Sequence, residues 1–351
     1  MSQAGRALDR NPALRVVRPV TDAASRFLTG SGRVTSSAPH IVDTLDTRHY
    51  MMLVVSALMP VTFAAIYFFG WRALAMILVS YAAGGLTEGL FAAVRNKPVH
   101  PEGLLVTGLI FALILPPGLP LWVVAVGSAF GVGFGKEVFG GTGRNIFNPA
   151  LVGRIFLSAA FPALMGGKWQ PPITGGLGGF LRYQPDAITG ATPLSAFRAA
   201  GLVAHSYVDL LLGTVPGSMG ETFRLGIIVA GLFLVVARVS NWRVPAAFLG
   251  SVAVFSAIGH FFMPRQVAPP LFQLLAGGVL FGAFFMATDP VTSPFTRPGK
   301  WVFGVALGLL TVLIRGFSTS IEGVAFAIIL MNAITPLIDN LSLKARYRVS
   351  D

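Results

Sequence analysis

Apolar blocks long enough to cross a bilayer recur along this chain, and they constrain its fold more than any single motif does. They lie at 50–69, 71–94, 103–116, 119–136, 148–166, 222–240, 243–263, 269–288, 300–316 and 321–340. A spanning helix needs about 20 predominantly apolar residues and satisfies its backbone polar groups within the segment. Composition agrees, because 11% of the 351 residues are charged, against roughly 25% in a soluble domain. The reading is an all-α integral membrane protein of about ten transmembrane helices. No stretch of ordinary domain size remains for a separate soluble domain.

The blocks divide the chain. Residues 1–49 form a basic cytoplasmic arm with seven arginines and no long apolar run, so they are not a cleavable signal peptide. Residues 50–166 make a first five-helix repeat, 167–221 an extracytoplasmic loop, 222–340 a second five-helix repeat and 341–351 a cytoplasmic tail. With the N-terminus inside, most of the 26 lysines and arginines fall on inner segments, which sets both termini in the cytoplasm. The net charge of +12 sits in short inter-helix loops and points to anionic lipid headgroups rather than nucleic acid. The absence of cysteine excludes disulfides, thiolate metal sites and cysteine-held iron–sulfur clusters. Electrons passing through such a chain need an organic carrier. The histidines are scattered without ligand spacing, so no metal site is expected.

A faint repeat accompanies the count. Ile114-Leu-Pro-Pro117 precedes a span ending in Lys136-Glu-Val-Phe-Gly-Gly-Thr-Gly143, and Ala287-Thr-Asp-Pro290 precedes one ending in Arg315-Gly-Phe-Ser-Thr319. Five spans per half make the two repeats inverted, and inverted repeats with broken helices place polar sites near the midplane.

Several residues are candidates for chemistry. Glu88 lies inside an apolar span, where a carboxylate costs roughly 2.5–3.5 kcal/mol on insertion scales, so it faces protein or water. Asp289, before Pro290, is either an N-cap or an ion-pathway residue. Asp339 ends the last span and is either interfacial or part of an ion pathway. In Gly140-Gly-Thr-Gly-Arg-Asn-Ile-Phe-Asn-Pro149, Asn145 and Asn148 can donate and accept hydrogen bonds, and Asn148-Pro149 has the form of a helix start. The long loop carries Asp186-Ala-Ile-Thr-Gly-Ala-Thr-Pro-Leu194, in which Gly190 permits a tight turn and Pro193 fixes the backbone after Thr192. On chemistry alone this is a Thr/Pro turn or a presented hydroxyl.

Lys136-Glu-Val-Phe-Gly-Gly-Thr-Gly-Arg-Asn-Ile-Phe-Asn-Pro-Ala-Leu151 resembles a signature of the B subunits of the sodium-translocating NADH:quinone reductases and of their paralogues, the D subunits of the Rnf ferredoxin:NAD oxidoreductases. Phe285-Met-Ala-Thr-Asp-Pro-Val291, Gly299-Lys-Trp301, Val215-Pro-Gly-Ser-Met-Gly-Glu221 and Asp43-Thr-Leu-Asp46 resemble the same family, over about residues 39 to 342. Thr189-Gly-Ala-Thr192 then resembles its flavinylation motif. The resemblance implies FMN joined to Thr192 through a phosphoester by a flavin transferase, with Asp186, Thr189, Gly190 and Ala191 as recognition frame. It further implies noncovalent riboflavin near Asn145 and Asn148, and a quinone site near Gly84, Gly85 and Glu88. Ion-pathway carboxylates, Glu88 and Asp339 among them, are implied as well. The protein would be a subunit of an ion-pumping complex in the bacterial inner membrane, with sodium and quinone as further partners. Only Gly70-Trp71-Arg72 separates the first two spans, as in the Rnf branch, whereas Lys136–Gly143 and Asp43–Asp46 resemble the quinone-reductase branch, which is favoured. No dinucleotide fingerprint in a βαβ setting occurs, so NADH belongs to a partner subunit. A channel or secondary transporter, or a structural anchor for partner subunits, are the competing classes, and flavin on Thr192 discriminates.

Overall fold

The computed structural model describes residues 47–95, 101–184, 189–318 and 323–347. Asp186 and Asp43–Asp46 lie outside the described residues. Those described are helix and loop, with no strand among them.

The chain enters α1 (Thr47–Phe69) and passes directly to α2 (Trp71–Arg95). The corner is Gly70 alone, at φ 76°. A Cβ at that position would lie 2.6 Å from the Arg182 carbonyl oxygen, so only glycine lets the loop approach. That loop caps the corner. Trp71 N and Arg72 N donate to the Arg182 and Tyr183 carbonyls at 3.1 and 2.7 Å, and Trp71 Nε1 to Phe180 O at 2.9 Å.

The third expected span is broken, as its prolines demand. Helix α3 (Pro101–Leu113) stops before Pro116, and α4 (Leu121–Val132) continues as a π-helical turn, Gly133–Glu137. The freed carbonyls find donors. Gly220 N and Met219 N donate to Leu113 O and Leu115 O at 2.7 and 3.3 Å, and the Arg154 guanidinium donates to Ile114 O. Irregular backbone at membrane depth is tolerated where protein satisfies it in this way. The stretch expected at 148–166 is two helices, α5 (Pro149–Ala160) and α6 (Pro162–Gly167), divided where Pro162 cannot supply a backbone donor. The long loop holds α7 (Pro193–Ala200) and α8 (Tyr207–Leu212).

The second half runs α9 (Arg224–Val236), α10 (Arg243–Phe262), α11 (Pro270–Leu275), α12 (Val279–Phe281, with a π-helical turn Gly282–Met286), α13 (Arg297–Phe317) and α14 (Gly323–Tyr347). Its eighth stretch breaks at Ala276–Gly278, ahead of the Asp289-Pro290 break read from the sequence. There Arg315 Nη1 donates to Gln273 O at 2.9 Å and Nη2 to Ala276 O at 3.0 Å.

Packing follows the same order in both halves. Helix α2 lies on α4 and α4 on α5; α10 lies on α13 and α13 on α14. The halves meet through α1 with α9 and α5 with α14. One large apolar core joins them, centred on Phe111, Leu113, Ile114, Phe281 and Phe303. A smaller cluster of Leu194, Phe197, Leu210, Val215 and Phe272 fastens α7 and α8 onto α11. Five helices, α1, α2, α10, α13 and α14, are long and apolar enough to cross a membrane. The other expected stretches contain shorter helical pieces.

Candidate functional site: two cavities joined by α5

Thr192 is the N-cap of α7. Its Oγ accepts from Ser195 N at 3.3 Å and donates to Ser195 Oγ at 3.0 Å, with Pro193 at the first helical position. The preceding residues are tied across the loop: Gly190 N donates to Trp169 O at 2.9 Å and Thr189 Oγ1 to Gly167 O at 3.2 Å. A Cβ on Gly190 would stand 2.9 Å from the Pro216 ring, so glycine permits the approach of the 215–221 segment.

Thr189, Gly190, Ala191 and Thr192 together line a cavity of about 670 Å³, within the roughly 300–1,000 Å³ of small-molecule sites. Arg154, Ser218, Glu221 and Arg224 line it as well. All four are buried, and the Ser218 hydroxyl and Arg224 Nε have no partner. Both atoms lie beneath the cavity surface, so what the lining offers an anionic ligand is the charge of Arg154 and Arg224. The residues therefore fit a flavin phosphate and its ring.

Helix α5 leads away from this cavity. Twelve residues at 1.5 Å rise make it roughly 18 Å long. At its other end Asn148 is the N-cap, its side chain accepting from Ala150 N at 3.1 Å. Asn145 and Asn148 line a second cleft with Tyr50, Lys136, Phe284, Phe285 and Asp289. The hydroxyls of Thr142 and Ser240, both on its wall, are buried and unpartnered. The aromatic walls suit a heteroaromatic ligand, but the free space is only about 70 Å³, well below the roughly 300 Å³ of small-molecule sites, so the cleft as it stands is too small for a flavin ring.

The expected carboxylates are each engaged. Glu88 is buried and forms an ion pair at 3.0 Å with Lys136, which lines the second cleft. Asp289, at the edge of the same cleft, accepts from Val291 N at 3.2 Å and from Thr292 Oγ1 at 3.1 Å and so closes a turn; no helix starts there, and the N-cap of α13 is Thr296. Asp339 lies within α14 rather than at its end, and accepts from Phe295 N, Thr296 N and Thr296 Oγ1 at 3.2, 3.1 and 2.7 Å. It anchors the start of α13. Gly84 is a packing glycine: a Cβ there would lie 3.0 Å from Leu104 and from the Ser128 hydroxyl. Gly85 is looser, with Leu104 at 3.3 Å, and Leu86 and Leu90 beside it are exposed.

The sequence reading did not single out Arg154, Glu221, Arg224 and Arg315. The arginines pass for loop charges in the sequence, although each lies inside an apolar block. An arginine well inside a span is costly without a role, a signal that marks Arg154 within 148–166; Arg224 and Arg315 sit at the ends of 222–240 and 300–316 and Glu221 lies in no block, so nothing local marks them.

Five long helices with apolar outer faces, broken helices between them and buried polar cavities define a multi-pass helical membrane protein. The sequence matches the NQR2, RnfD, RnfE family over residues 34–348, and the chain belongs to that family. It is 37% identical to the B subunit of the Na(+)-translocating NADH-quinone reductase of Pseudomonas aeruginosa (strain LESB58), over 94% of this chain and 92% of that protein. It is 35% identical to the B subunit of the same reductase in Klebsiella pneumoniae (strain 342), over 94% and 93% of the two chains. The first alignment runs over 386 positions, more than the 351 residues here, so the relative carries insertions that this chain lacks.

Proposed function

We propose that this chain is the flavin-bearing membrane subunit of an ion-pumping NADH:quinone oxidoreductase. FMN is held on Thr192 through a phosphoester installed by a flavin transferase, and electrons pass through the subunit toward quinone, coupled to sodium translocation. One observation carries the reading: the motif threonine lines a large cavity together with Arg154 and Arg224. A transporter or channel has no use for a flavin there.

In this reading the chain crosses the membrane ten times in two inverted halves, both termini are cytoplasmic and the Thr192 loop is extracytoplasmic. The matched packing order of the halves supports the repeat. A bound flavin supplies one- and two-electron redox chemistry, while the protein supplies position and electrostatics. Thr192 tethers the phosphate, Gly190 and Pro216 set the loop against the cavity mouth, and Arg154 and Arg224 face the occupant. Asn145 and Asn148, with the Thr142 and Ser240 hydroxyls, are the groups that would hold riboflavin at the other end of α5. Quinone approaches Gly84, Gly85 and Glu88 from the apolar face of Leu86 and Leu90. Sodium follows the acidic residues Glu88, Asp289 and Asp339. NADH binds a partner subunit.

The names of the relatives favour the quinone-reductase branch, and the single-glycine corner between α1 and α2 is the feature that leans toward the Rnf branch. The test is in-gel ultraviolet fluorescence of the denatured subunit, expressed with the flavin transferase, against Thr192→Ala. A fluorescent band lost in the variant is expected. A dark wild-type band, with the transferase active on a control substrate, contradicts the reading and returns the chain to a transporter-like role.

A further inference from the structure

A separate cavity lies against α7, and every charge on its wall is positive. Its free volume is about 320 Å³, within the roughly 300–1,000 Å³ of small-molecule sites. Arg198, Arg265, Arg315, Gln266 and Gln273 supply its polar lining, with no carboxylate among them. Arg198 is exposed near the end of α7, Arg265 is exposed in the turn after α10, and Arg315 is buried in the last turn of α13. Gly201 ends α7 at φ 67° and brings that helix against Arg265, whose Cγ would lie 3.6 Å from a Cβ on the glycine. Gln273 gives its amide oxygen to Arg315 Nη1 at 3.0 Å, leaving its NH2 as the group for an occupant.

Structural tasks do not use up this charge. Arg315 answers the freed carbonyls of α11 and shares an adjoining cavity with Glu221. Arg198 Nη2 donates to Ser318 O, and Arg265 makes no hydrogen bond among the described residues. None of the three forms an ion pair there. The ends of α7, α10 and α13 lie beside Arg198 and Arg265. Each such end is equivalent to about half an elementary negative charge, so three of them fall short of two full cations. Like charges around one cavity repel, and an anion between them turns that cost into attraction.

The surroundings select the kind of anion. Helices α10 and α13 run parallel, with Gly304 against Ala247 and Gly308 against Ser251, so the two spanning helices end together at the cavity. Phe317, exposed, forms part of its wall. Leu313 and Leu309 continue from it along α13 at four-residue steps, and Phe262, Ile258 and Val254 do the same on α10, all exposed. Four-residue steps keep side chains on one helix face. A small soluble anion has no use for such stripes, whereas an anionic phospholipid needs both a cationic end and an apolar track. We propose that the cavity is a headgroup site for an anionic phospholipid. Its phosphate is held by Arg198 and Arg265 in the field of Arg315, and its acyl chains lie on the stripes of α10 and α13. A guanidinium meets a phosphate with two parallel N–H donors. Leu194 and Phe197 close the cavity from α7, so the lipid pins the helix that begins after Thr192 to the spanning helices. The site does not depend on a flavin.

The test is native mass spectrometry of the assembled complex, delipidated in detergent and titrated with phosphatidylglycerol or with phosphatidylcholine of the same chains. Each titration is repeated with an equal concentration of inorganic phosphate. The variants are Arg265→Gln, Arg265→Lys and, at the opposite end of α13, Arg297→Gln as a control for overall charge. Wild type is expected to retain phosphatidylglycerol in preference to phosphatidylcholine. Arg265→Gln should weaken that retention about tenfold, the effect of one lost charge-assisted hydrogen bond. Arg265→Lys should keep most of the affinity and Arg297→Gln all of it. Equal retention of phosphatidylcholine, or equal weakening by Arg265→Gln and Arg297→Gln, overturns the lipid site. Displacement by inorganic phosphate overturns it in favour of a free anion. A complex that holds no phosphatidylglycerol and sheds a subunit in Arg265→Gln overturns it in favour of a partner protein. Should Arg265→Gln fail to assemble, Arg198→Gln is read by the same comparison, and undiminished retention of phosphatidylglycerol there overturns the site.

Discussion

Lys136 and Glu88 are 2% and 3% exposed and 3.0 Å apart, so each is the other's compensation in a low-dielectric setting. Removing one leaves a buried unpaired charge, at a cost of about 3–5 kcal/mol. Lys136→Met is therefore expected to lower the melting temperature sharply, and the double variant Lys136→Met/Glu88→Leu to recover much of it, read by thermal unfolding in detergent. A double variant no more stable than the single one contradicts the pairing. Asp339 makes a second case. Asp339→Asn keeps one acceptor oxygen for Thr296 but sets an amide NH2 against Phe295 N, and should fall between wild type and Asp339→Ala, which orphans all three donors at about 1–3 kcal/mol. Equal melting of the two variants argues against the anchoring role. At this scale the sequence was informative where a residue type is expensive in its setting. Glu88 declared itself as a carboxylate in an apolar block, but its partner Lys136 is remote in sequence, and no pattern along a single chain announces a contact between α2 and the end of α4.

The elements were legible where their chemistry is local. The Asn148-Pro149 helix start, the break before Pro116 and the edges of α1 and α2 follow from caps, prolines and apolar length. The break at Ala276–Gly278 was missed, because Gly277-Gly278 inside an apolar run reads as ordinary for a membrane helix. It becomes a break only when Arg315, from α13, satisfies the freed carbonyls. The same logic governs the α1–α2 corner. Gly70 has a positive φ, and the Arg182 and Tyr183 carbonyls sit where a side chain would go. Gly70→Ala is expected to loosen residues 178–183 from the corner. Limited proteolysis should then cut at Arg182 faster than in wild type, and an unchanged rate would show that the loop is held by other contacts.

For the whole molecule, the sequence carried the class and the family motifs, and the structure brought the motifs together. Thr192 and the Val215–Glu221 segment come from one loop, yet their cavity is closed by α5, α9 and the break between α11 and α12. Arg154 and Arg224, both on its wall, come from different halves of the chain. The absence of cysteine makes the proposed topology testable without background. Gln184→Cys, in the long loop, should react with a membrane-impermeant maleimide on intact cells, and Arg144→Cys, between α4 and α5, only after permeabilisation. The reverse pattern inverts the topology.

Attachment of FMN to Thr192 is read by peptide mass spectrometry of the protein co-expressed with the flavin transferase. Cleavage after Arg182 and Arg198 releases Tyr183–Arg198, which contains Thr189, Thr192 and Ser195. This peptide is expected to be heavier by FMN less one water, with fragmentation placing the addition on Thr192. An unmodified peptide, or one carrying the addition on Thr189 or Ser195, contradicts it.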